Sequence, residues 1–218
     1  MIFAIKGYES ECLIKLVHKE SSEYVCGISI DWFKKIEDVN YDEKLSKLVI
    51  KYSKGGEIFQ HTIYLESPRS ILMRMIEELR KDKDDIKLIG DIGEKRVEFY
   101  FKEEIKKRVS EKKGMPPEEL EIRGSFRRGP DFLVYHKEGL IVIVDVKSTT
   151  KADEFPEGCF KLAKDSFNEK YFPGDYRNVE YGLPVAVFID LNTPEDASIE
   201  DIIKVAIGDL VPNPYYSP

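Results

Sequence analysis

Two aspartates and a lysine near the middle of the chain have the residue types and spacing for metal and phosphate chemistry. Asp131 follows a Gly-Pro pair at the start of one apolar stretch, and Asp145-Val146-Lys147 ends a second one. Carboxylate oxygens are preferred ligands of Mg²⁺, and an ammonium group can stabilise negative charge that develops on a phosphate. These side chains are therefore candidates for a site that hydrolyses phosphodiesters with a divalent metal ion.

The second apolar stretch predicts a strand that is covered on both faces, because residues 140–146 read LIVIVDV. Side chains alternate along a strand, so Ile143, Asp145 and Lys147 share one face. Charged side chains are rarely buried unless they are paired or bound to metal, since their desolvation is costly. A structural ion pair of Lys147 with Asp145 or Asp131 is the alternative, although such pairs often add no net stability over apolar replacements.

A helix is predicted upstream over residues 92–109, where apolar residues recur every four positions. At 100° per residue, Glu94 falls within about 20° of this apolar stripe, so its carboxylate would face whatever the helix packs against. Glu98, one turn later, is the substitute. The alternative interpretation is that Glu94 lies in the first turn and complements the positive helix N-terminus. The stripe consists of Val97, Phe101, Ile105 and Val109.

These elements together resemble the signature of the PD-(D/E)xK nuclease superfamily, which includes many restriction endonucleases, archaeal Holliday-junction resolvases and RecB-type exonucleases. The two parts of the signature lie on strands separated by residues 137–139 (Lys-Glu-Gly), a hairpin-turn sequence, and Gly93-Glu94 resembles the acidic position on the family's first core helix. The resemblance implies that Lys147 acts on the phosphate or on the attacking water. It also implies four oxygen ligands for Mg²⁺ or Mn²⁺: Glu94, Asp131, Asp145 and the backbone carbonyl of Val146.

The order of the other elements agrees with that family. The patterns predict strands at 121–124 and 183–191, a helix at 158–171, and a final helix at 199–207 that Ser198 caps. We therefore expect an α/β fold with a restriction-endonuclease-like core of helix, three strands, helix and strand, in which helices flank a mixed central sheet.

Three regions are expected along the chain. Residues 1–80 form an accessory region of antiparallel strands and one helix, which would bind substrate or dimerise the protein. Residues 81–208 form the nuclease core, and residues 209–218 form a loosely ordered tail. Within the first region the patterns predict strands at 3–17, 24–32, 45–52 and 58–65, the last two joined at Gly55-Gly56, and a helix at 69–80.

Basic residues near the motif are candidates for contacts with a nucleic-acid backbone, which supply much of the affinity of such complexes. Arg123, Arg127 and Arg128 precede Asp131, and Lys164 lies on the predicted helix 158–171. A solvated surface is the alternative for the arginines. RecB-type proteins carry Gln-x-x-x-Tyr on this helix, and its absence here argues against that branch of the superfamily.

The charge of the chain is unusual for a nucleic-acid-binding protein, because its formal net charge is -7. Residues 150–218 hold most of this excess, with 6 Lys and Arg against 13 Asp and Glu. Residues 81–149, which contain the motif, carry 16 against 15. The charge around the motif is therefore compatible with a positive binding face.

Several other classes of protein are not indicated. The three cysteines form no Cys-x-x-Cys pair, the three histidines have no metal-ligand spacing, and there is no Gly-rich phosphate loop. No apolar stretch is long enough to span a membrane and no signal peptide is indicated, so we expect a cytoplasmic protein with no membrane partner.

The function expected from these features is that of an Mg²⁺- or Mn²⁺-dependent DNA endonuclease, nearest in pattern to the structure-selective, resolvase-like enzymes. A homodimer is expected, because enzymes that cut junctions or palindromes need two symmetry-related active sites. The alternatives are a restriction-type nuclease, a nuclease that acts on RNA, and a non-catalytic nucleic-acid-binding or assembly module that keeps the fold.

Overall fold

The computed structural model of the chain divides into two compact units, residues 1–67 and residues 68–218. It describes residues 2–7, 11–17, 24–31, 35–42, 47–54, 57–64, 67–124, 129–137, 139–194 and 196–217. Trp32, Gly55, Gly56, Arg127, Arg128 and Glu138, which the sequence analysis considered, lie outside these ranges.

The first unit contains two antiparallel sheets of three strands each among its described residues. One sheet holds β1 (Ile2–Gly7), β2 (Glu11–Val17) and β3 (Tyr24–Asp31), and the other holds β4 (Lys35–Asp42), β5 (Lys47–Lys54) and β6 (Glu57–Tyr64). The hairpin expected between 45–52 and 58–65 is confirmed as β5 and β6. The single strand expected over 3–17 is wrong, because it is two strands, and β4 was not predicted because polar residues interrupt its apolar pattern.

The second unit begins with three helices. They are α1 (Pro68–Lys81), α2 (Ile86–Tyr100) and α3 (Lys102–Lys113). The apolar face of α1 is buried as its spacing predicts, and α1 packs on α2. The division of the chain at Ser67 therefore places α1 in the second unit, whereas the sequence analysis grouped it with residues 1–80.

The continuous helix expected over 92–109 is wrong, because it is broken at Phe101 and its first part begins earlier. Asp85 caps α2, and its carboxylate accepts a 2.9 Å hydrogen bond from the Leu88 N–H. Phe101 leaves the helical conformation with φ -117° and ψ 1° and lies between α2 and α3. Ile105 and Val109 are still buried after the break, which explains why the apolar periodicity did not reveal it.

A mixed sheet forms the centre of the second unit, in the order β11-β10-β9-β8-β7. Strands β7 (Glu121–Gly124), β8 (Phe132–His136) and β9 (Gly139–Thr149) are antiparallel neighbours, and helix α4 (Glu157–Ser166) connects β9 to the parallel strand β10 (Tyr181–Ile189). Parallel neighbours need such a crossover connection. The protein is thus an α/β protein with a mixed sheet flanked by helices, in agreement with the general class expected.

The C-terminal segment differs from both expectations for it. Helix α5 spans only Ile199–Ile202, and residues 203–207 form β11 (Ile203–Ile207), which pairs with β10. β-Branched residues at alternate positions favour this strand over the expected helix, whereas the cap at Ser198 is confirmed by its 3.1 Å bond from the Asp201 N–H. The tail is ordered, because β12 (Val211–Pro212) pairs with β10 and the buried Asn213 amide donates to three backbone carbonyls.

Helices cover both faces of β9, and the two packings position the candidate site. On one face, Ile143 packs with residues of α4 and of the turn that follows it, including Ala163 and Phe167. On the other face, Ser148 lies against α2 at Gly93, where an added Cβ would come within 1.8 Å of the serine Oγ. The missing side chain of Gly93 therefore lets α2 approach β9 closely. No helix among the described residues combines the length and the apolar composition needed to cross a bilayer.

Candidate active site

The two halves of the motif are adjacent in the sheet. Asp131 directly precedes β8, and its N–H donates a 2.9 Å hydrogen bond to the carbonyl of Val144 in β9. The Val146 N–H donates a 2.6 Å hydrogen bond back to Oδ2 of Asp131. Asp131 is thus fixed beside Asp145 by the backbone of the strand that carries Asp145. The hairpin between β8 and β9 includes Gly139 at φ 135°, a conformation that glycine adopts without strain.

Asp145 and Lys147 form an ion pair on the α4 side of β9. Lys147 Nζ lies 2.8 Å from Asp145 Oδ2, and the aspartate side chain is almost fully buried while the lysine side chain is 31 % exposed. The contact is not a well-aligned hydrogen bond, since Oδ2 has no donor of suitable geometry among the described residues. The ion pair that the alternative interpretation expects is therefore formed. The Lys147 ammonium is still accessible from solvent.

Glu94 reaches the same site from α2. It lies more than two turns after the helix begins at Ile86, so its interpretation as a first-turn residue at the helix N-terminus is wrong. Its carboxyl group lies close enough to that of Asp131 for each to alter the pKa of the other. Glu98, the substitute, instead pairs with Lys95 on the helix surface. Of the two acidic candidates on this helix, Glu94 is the one that contacts the motif.

The partly buried carboxyl groups of Asp131 and Glu94 resist ionisation. Burial raises the pKa of Asp131 to about 7, the charge of Glu94 and more weakly that of Asp145 act in the same direction, and the Val146 N–H opposes them. Burial also raises the pKa of Glu94, followed by the charge of Asp91. A cation bound between these carboxylates would relieve their mutual repulsion.

The three carboxylates do not form a finished metal cage. Within the described ranges, no three Asp, Glu, His or Cys side chains lie where they could together hold a metal ion. Glu94 and Asp131 contact each other, whereas Asp145 is oriented toward Lys147 and Tyr171. Burial raises the pKa of Asp145, while Lys147, the Tyr171 hydroxyl and, most weakly, Lys170 lower it.

Tyr171 is a site residue that the sequence analysis did not assign. Its hydroxyl lies 3.2 Å from Asp145 Oδ1 and 3.0 Å from the Gly129 carbonyl, and its single proton can be donated to either acceptor. Burial raises the pKa of this hydroxyl, and the charge of Asp145 adds to the effect. Tyr171 ends the helix predicted at 158–171, but its contact with Asp145 depends on a turn with no sequence signature.

That turn is π-helical and directly follows α4. It spans Phe167–Tyr171 and is closed by a 2.9 Å hydrogen bond from the Phe172 N–H to the Phe167 carbonyl. Such turns are rare and often occur at functional sites. Lys170 lies in the same turn, exposed to solvent, with Nζ 4.9 Å from the centroid of the Tyr171 ring.

The predicted nucleic-acid contacts are not gathered at this site. Arg123 forms two hydrogen bonds of 2.8 and 2.7 Å with Glu121, and its guanidinium lies 4.8 Å from the Tyr135 ring centroid. Arg127 and Arg128 are outside the described residues. Lys164 lines a groove with Arg108 and other residues, none of which belongs to the motif. The basic side chain beside the motif on this segment is Lys170 and not Lys164.

Comparisons with protein-family models, with curated proteins and with solved structures find no match for this chain.

Proposed function

We propose that the protein is a metal-dependent nuclease that hydrolyses phosphodiester bonds of DNA, and that its second unit is a PD-(D/E)xK nuclease core with a restriction-endonuclease-like fold. The proposal rests on the proximity of the two halves of the motif. The Val146 N–H donates a 2.6 Å hydrogen bond to Oδ2 of Asp131 and so holds it beside Asp145, and Glu94 approaches Asp131 from α2. The succession of helix, antiparallel strands, crossover helix and parallel strand supports the same assignment.

A divalent cation would be held by the carboxylates of Glu94, Asp131 and Asp145 and by the backbone carbonyl of Val146. Mg²⁺ or Mn²⁺ suits these oxygen donors, and when bound it would neutralise the phosphate and make a coordinated water more acidic. Three features support the fit: the Glu94–Asp131 contact, the raised pKa values of both groups, and the Asp145 Oδ2 atom that lacks an aligned donor.

Lys147 supplies a positive charge from the protein, in addition to that of a bound metal ion. Its ammonium has three hydrogens, and its partial exposure leaves hydrogens available beside the contact with Asp145. We assign it to a phosphate oxygen or to the attacking water, where its charge would be worth more in the transition state than in the ground state.

Val146 and Tyr171 orient the two aspartates. The Val146 N–H restricts rotation of the Asp131 carboxyl group, and the Tyr171 hydroxyl lies beside one oxygen of Asp145. Each aspartate is then left with oxygens that can face a cation. Such preorganisation matters because side chains that must reorient in the reaction lose part of their effect.

One observation favours a second candidate, the non-catalytic module that binds nucleic acid or assembles with other proteins. Lys147 and Asp145 form an ion pair in the absence of any ligand, as a purely structural pair would. Within the nuclease proposal, a structure-selective, restriction-type or RNA-directed enzyme differs in substrate. Homodimerisation through the first unit is part of the proposal, because it would bring two sites to one substrate.

A cleavage assay separates these candidates. Labelled duplex, single-stranded, flap and four-way-junction DNA, and one RNA, are incubated with the protein in Mg²⁺, Mn²⁺ or EDTA. We expect cutting in either metal and none in EDTA. Asp145→Asn should abolish cutting, while Asp153→Asn, at an exposed aspartate outside the site, should retain it.

Two results would count against the nuclease. Binding without cutting on every substrate would favour the non-catalytic module. Cutting that persists in EDTA or in Asp145→Asn would contradict the proposed site.

A further inference from the structure

We propose that Lys170 is a second phosphate-binding cation, which contacts the backbone of the nucleic-acid strand held at Asp145. This assignment rests on the proposed function and extends it from a single phosphate to a strand. Lys147 would act at the phosphate that is cut, and Lys170 at a phosphate of the same backbone.

The geometry of the π-helical turn connects Lys170 to the site. Its ammonium lies 4.9 Å from the centroid of the Tyr171 ring, within the range of a cation–π contact. The hydroxyl of the same ring lies 3.2 Å from Asp145 Oδ1. One tyrosine therefore contacts an exposed cation through its ring and a buried carboxylate through its hydroxyl.

The Lys170 ammonium is available to bind a phosphate. The side chain is exposed, and no acidic group among the described residues lies within ion-pair distance of it. Lys147 is paired with Asp145 and Lys151 with Glu154. A phosphate would therefore meet Lys170 without first breaking an ion pair, and the Tyr171 ring would limit the movement of its long side chain.

A second lysine beside the site favours a nucleic-acid strand over a small phosphate ester as the ligand. A single small phosphate ester would be served by Lys147 and a metal ion. A nucleic-acid strand carries a phosphate at every nucleotide, so a further cation beside the site gains a contact only when the ligand is a strand. Lys161, an exposed lysine of α4 that is not a candidate for nucleic-acid contact, serves as a matched control.

The test is the salt dependence of binding by the full chain. Fluorescence anisotropy with a labelled DNA duplex is measured in EDTA, which prevents cutting, between about 50 and 200 mM salt. Loss of one phosphate contact lowers the slope of log K against log salt by about 0.9 for duplex DNA. We expect that loss in Lys170→Ala, a slope close to the unaltered one in Lys170→Arg, and no change in Lys161→Ala.

Two outcomes would overturn the assignment and leave the nuclease proposal standing. They are an unchanged slope in Lys170→Ala, or an equal loss in Lys161→Ala, either of which would make Lys170 one surface charge among others. Absence of binding by the unaltered protein to duplex, single-stranded, flap and junction DNA would contradict the proposed function itself, and the role of Lys170 with it.

Discussion

The backbone N–H of Val146 donates a 2.6 Å hydrogen bond to Oδ2 of Asp131. Val146 is the middle residue of Asp-Val-Lys, and its side chain points to the face of β9 opposite Asp145 and Lys147. The residue between the two charged groups thus contributes its backbone to the site and its side chain to the core. Asp131 and Asp145, which are distant in the sequence, are held side by side by this bond.

Gly93 is predicted to be needed for the close packing of α2 on β9. In Gly93→Ala, the new Cβ would lie 1.8 Å from Ser148 Oγ, so the serine or the helix must move. We expect a loss of about 1–3 kcal/mol in the free energy of unfolding, measured by urea denaturation. Nuclease activity should fall as well, because Glu94 is the next residue.

Gly90 offers a matched control on the same helix. An added Cβ there meets nothing within 4 Å, so Gly90→Ala should stabilise the protein by up to about 1 kcal/mol through helix propensity. If Gly93→Ala were as stable as Gly90→Ala, the close approach of the helix would not be a constraint on the site.

The stability of the metal-free protein is predicted to depend on the proton of Asp131. Its pKa is raised to about 7 in the folded protein, above the ordinary value of about 3.9, so the folded state binds more protons between these values. This contribution is complete below about pH 4 and is lost as the pH rises to about 7. Urea denaturation in EDTA should show Asp131→Asn gaining stability relative to the unaltered protein between pH 5 and pH 7.

One result of this comparison would contradict the prediction. A difference between the two proteins that stays constant from pH 5 to pH 7 would mean that Asp131 is ionised throughout, as an isolated surface carboxylate would be.

Divalent metal ions are predicted to stabilise the folded protein. Binding to the native state alone stabilises it by about 2.7 kcal/mol when the free ion is at one hundred times its Kd, and this raises the melting temperature. Mn²⁺ or Mg²⁺ should therefore raise the melting temperature of the unaltered protein in a concentration-dependent way. Glu94→Gln and Asp131→Asn should weaken the effect.

The matched control for metal binding is Asp175→Asn, at an exposed aspartate beyond the π-helical turn. It should retain the full shift in melting temperature. An equal loss of the shift in Asp175→Asn would indicate non-specific binding to the acidic C-terminal third of the chain.

Tyr171 is predicted to orient Asp145 and to affect the pH profile of cutting. Tyr171→Phe removes the hydroxyl and leaves the ring, so the buried Phe167 and Phe172 packing should persist. Because the hydroxyl lowers the pKa of Asp145, its removal should move the acidic limb of the activity profile to higher pH. Loss of one hydrogen bond should cost about 1 kcal/mol of stability.

Tyr215→Phe, at an exposed tyrosine, is the control for that variant. A Tyr171→Phe protein with reduced stability but an unchanged pH profile would assign the hydroxyl to the Gly129 carbonyl alone.

Much of the site could be predicted from sequence, because its signals are local. Alternation along β9 placed Asp145 and Lys147 on one face, and the hairpin residues indicated that β8 and β9 pair. The inward position of Glu94 followed from helical spacing, which holds wherever the helix begins. The location of that beginning was wrong, because the cap at Asp85 lies in the charged run 81–85, where no apolar periodicity marks the start of a helix.

The features that were missed depend on tertiary contacts. β11 forms because β10 offers it an edge, a competition with helix formation that the segment itself does not reveal. The ordered tail depends on the buried Asn213, whose carbonyl partners come from a distant loop. The position of Lys170 next to the Tyr171 ring was not predicted, because Lys170 lies in a π-helical turn that departs from ideal helical spacing.

The central claim is that Glu94, Asp131, Asp145 and Lys147 form one hydrolytic site. Its most direct test is the single-turnover cutting rate of labelled DNA in Mg²⁺ for the unaltered protein, Lys147→Met and Lys151→Met. Lys151 is a more exposed lysine farther along the same segment, paired with Glu154. We predict that Lys147→Met lowers the rate by about 10²-fold or more, as expected when a charge that stabilises the transition state is lost, and that Lys151→Met does not. Equal rates for Lys147→Met and the unaltered protein would show that Lys147 does not act in cutting and would contradict the proposed four-residue site.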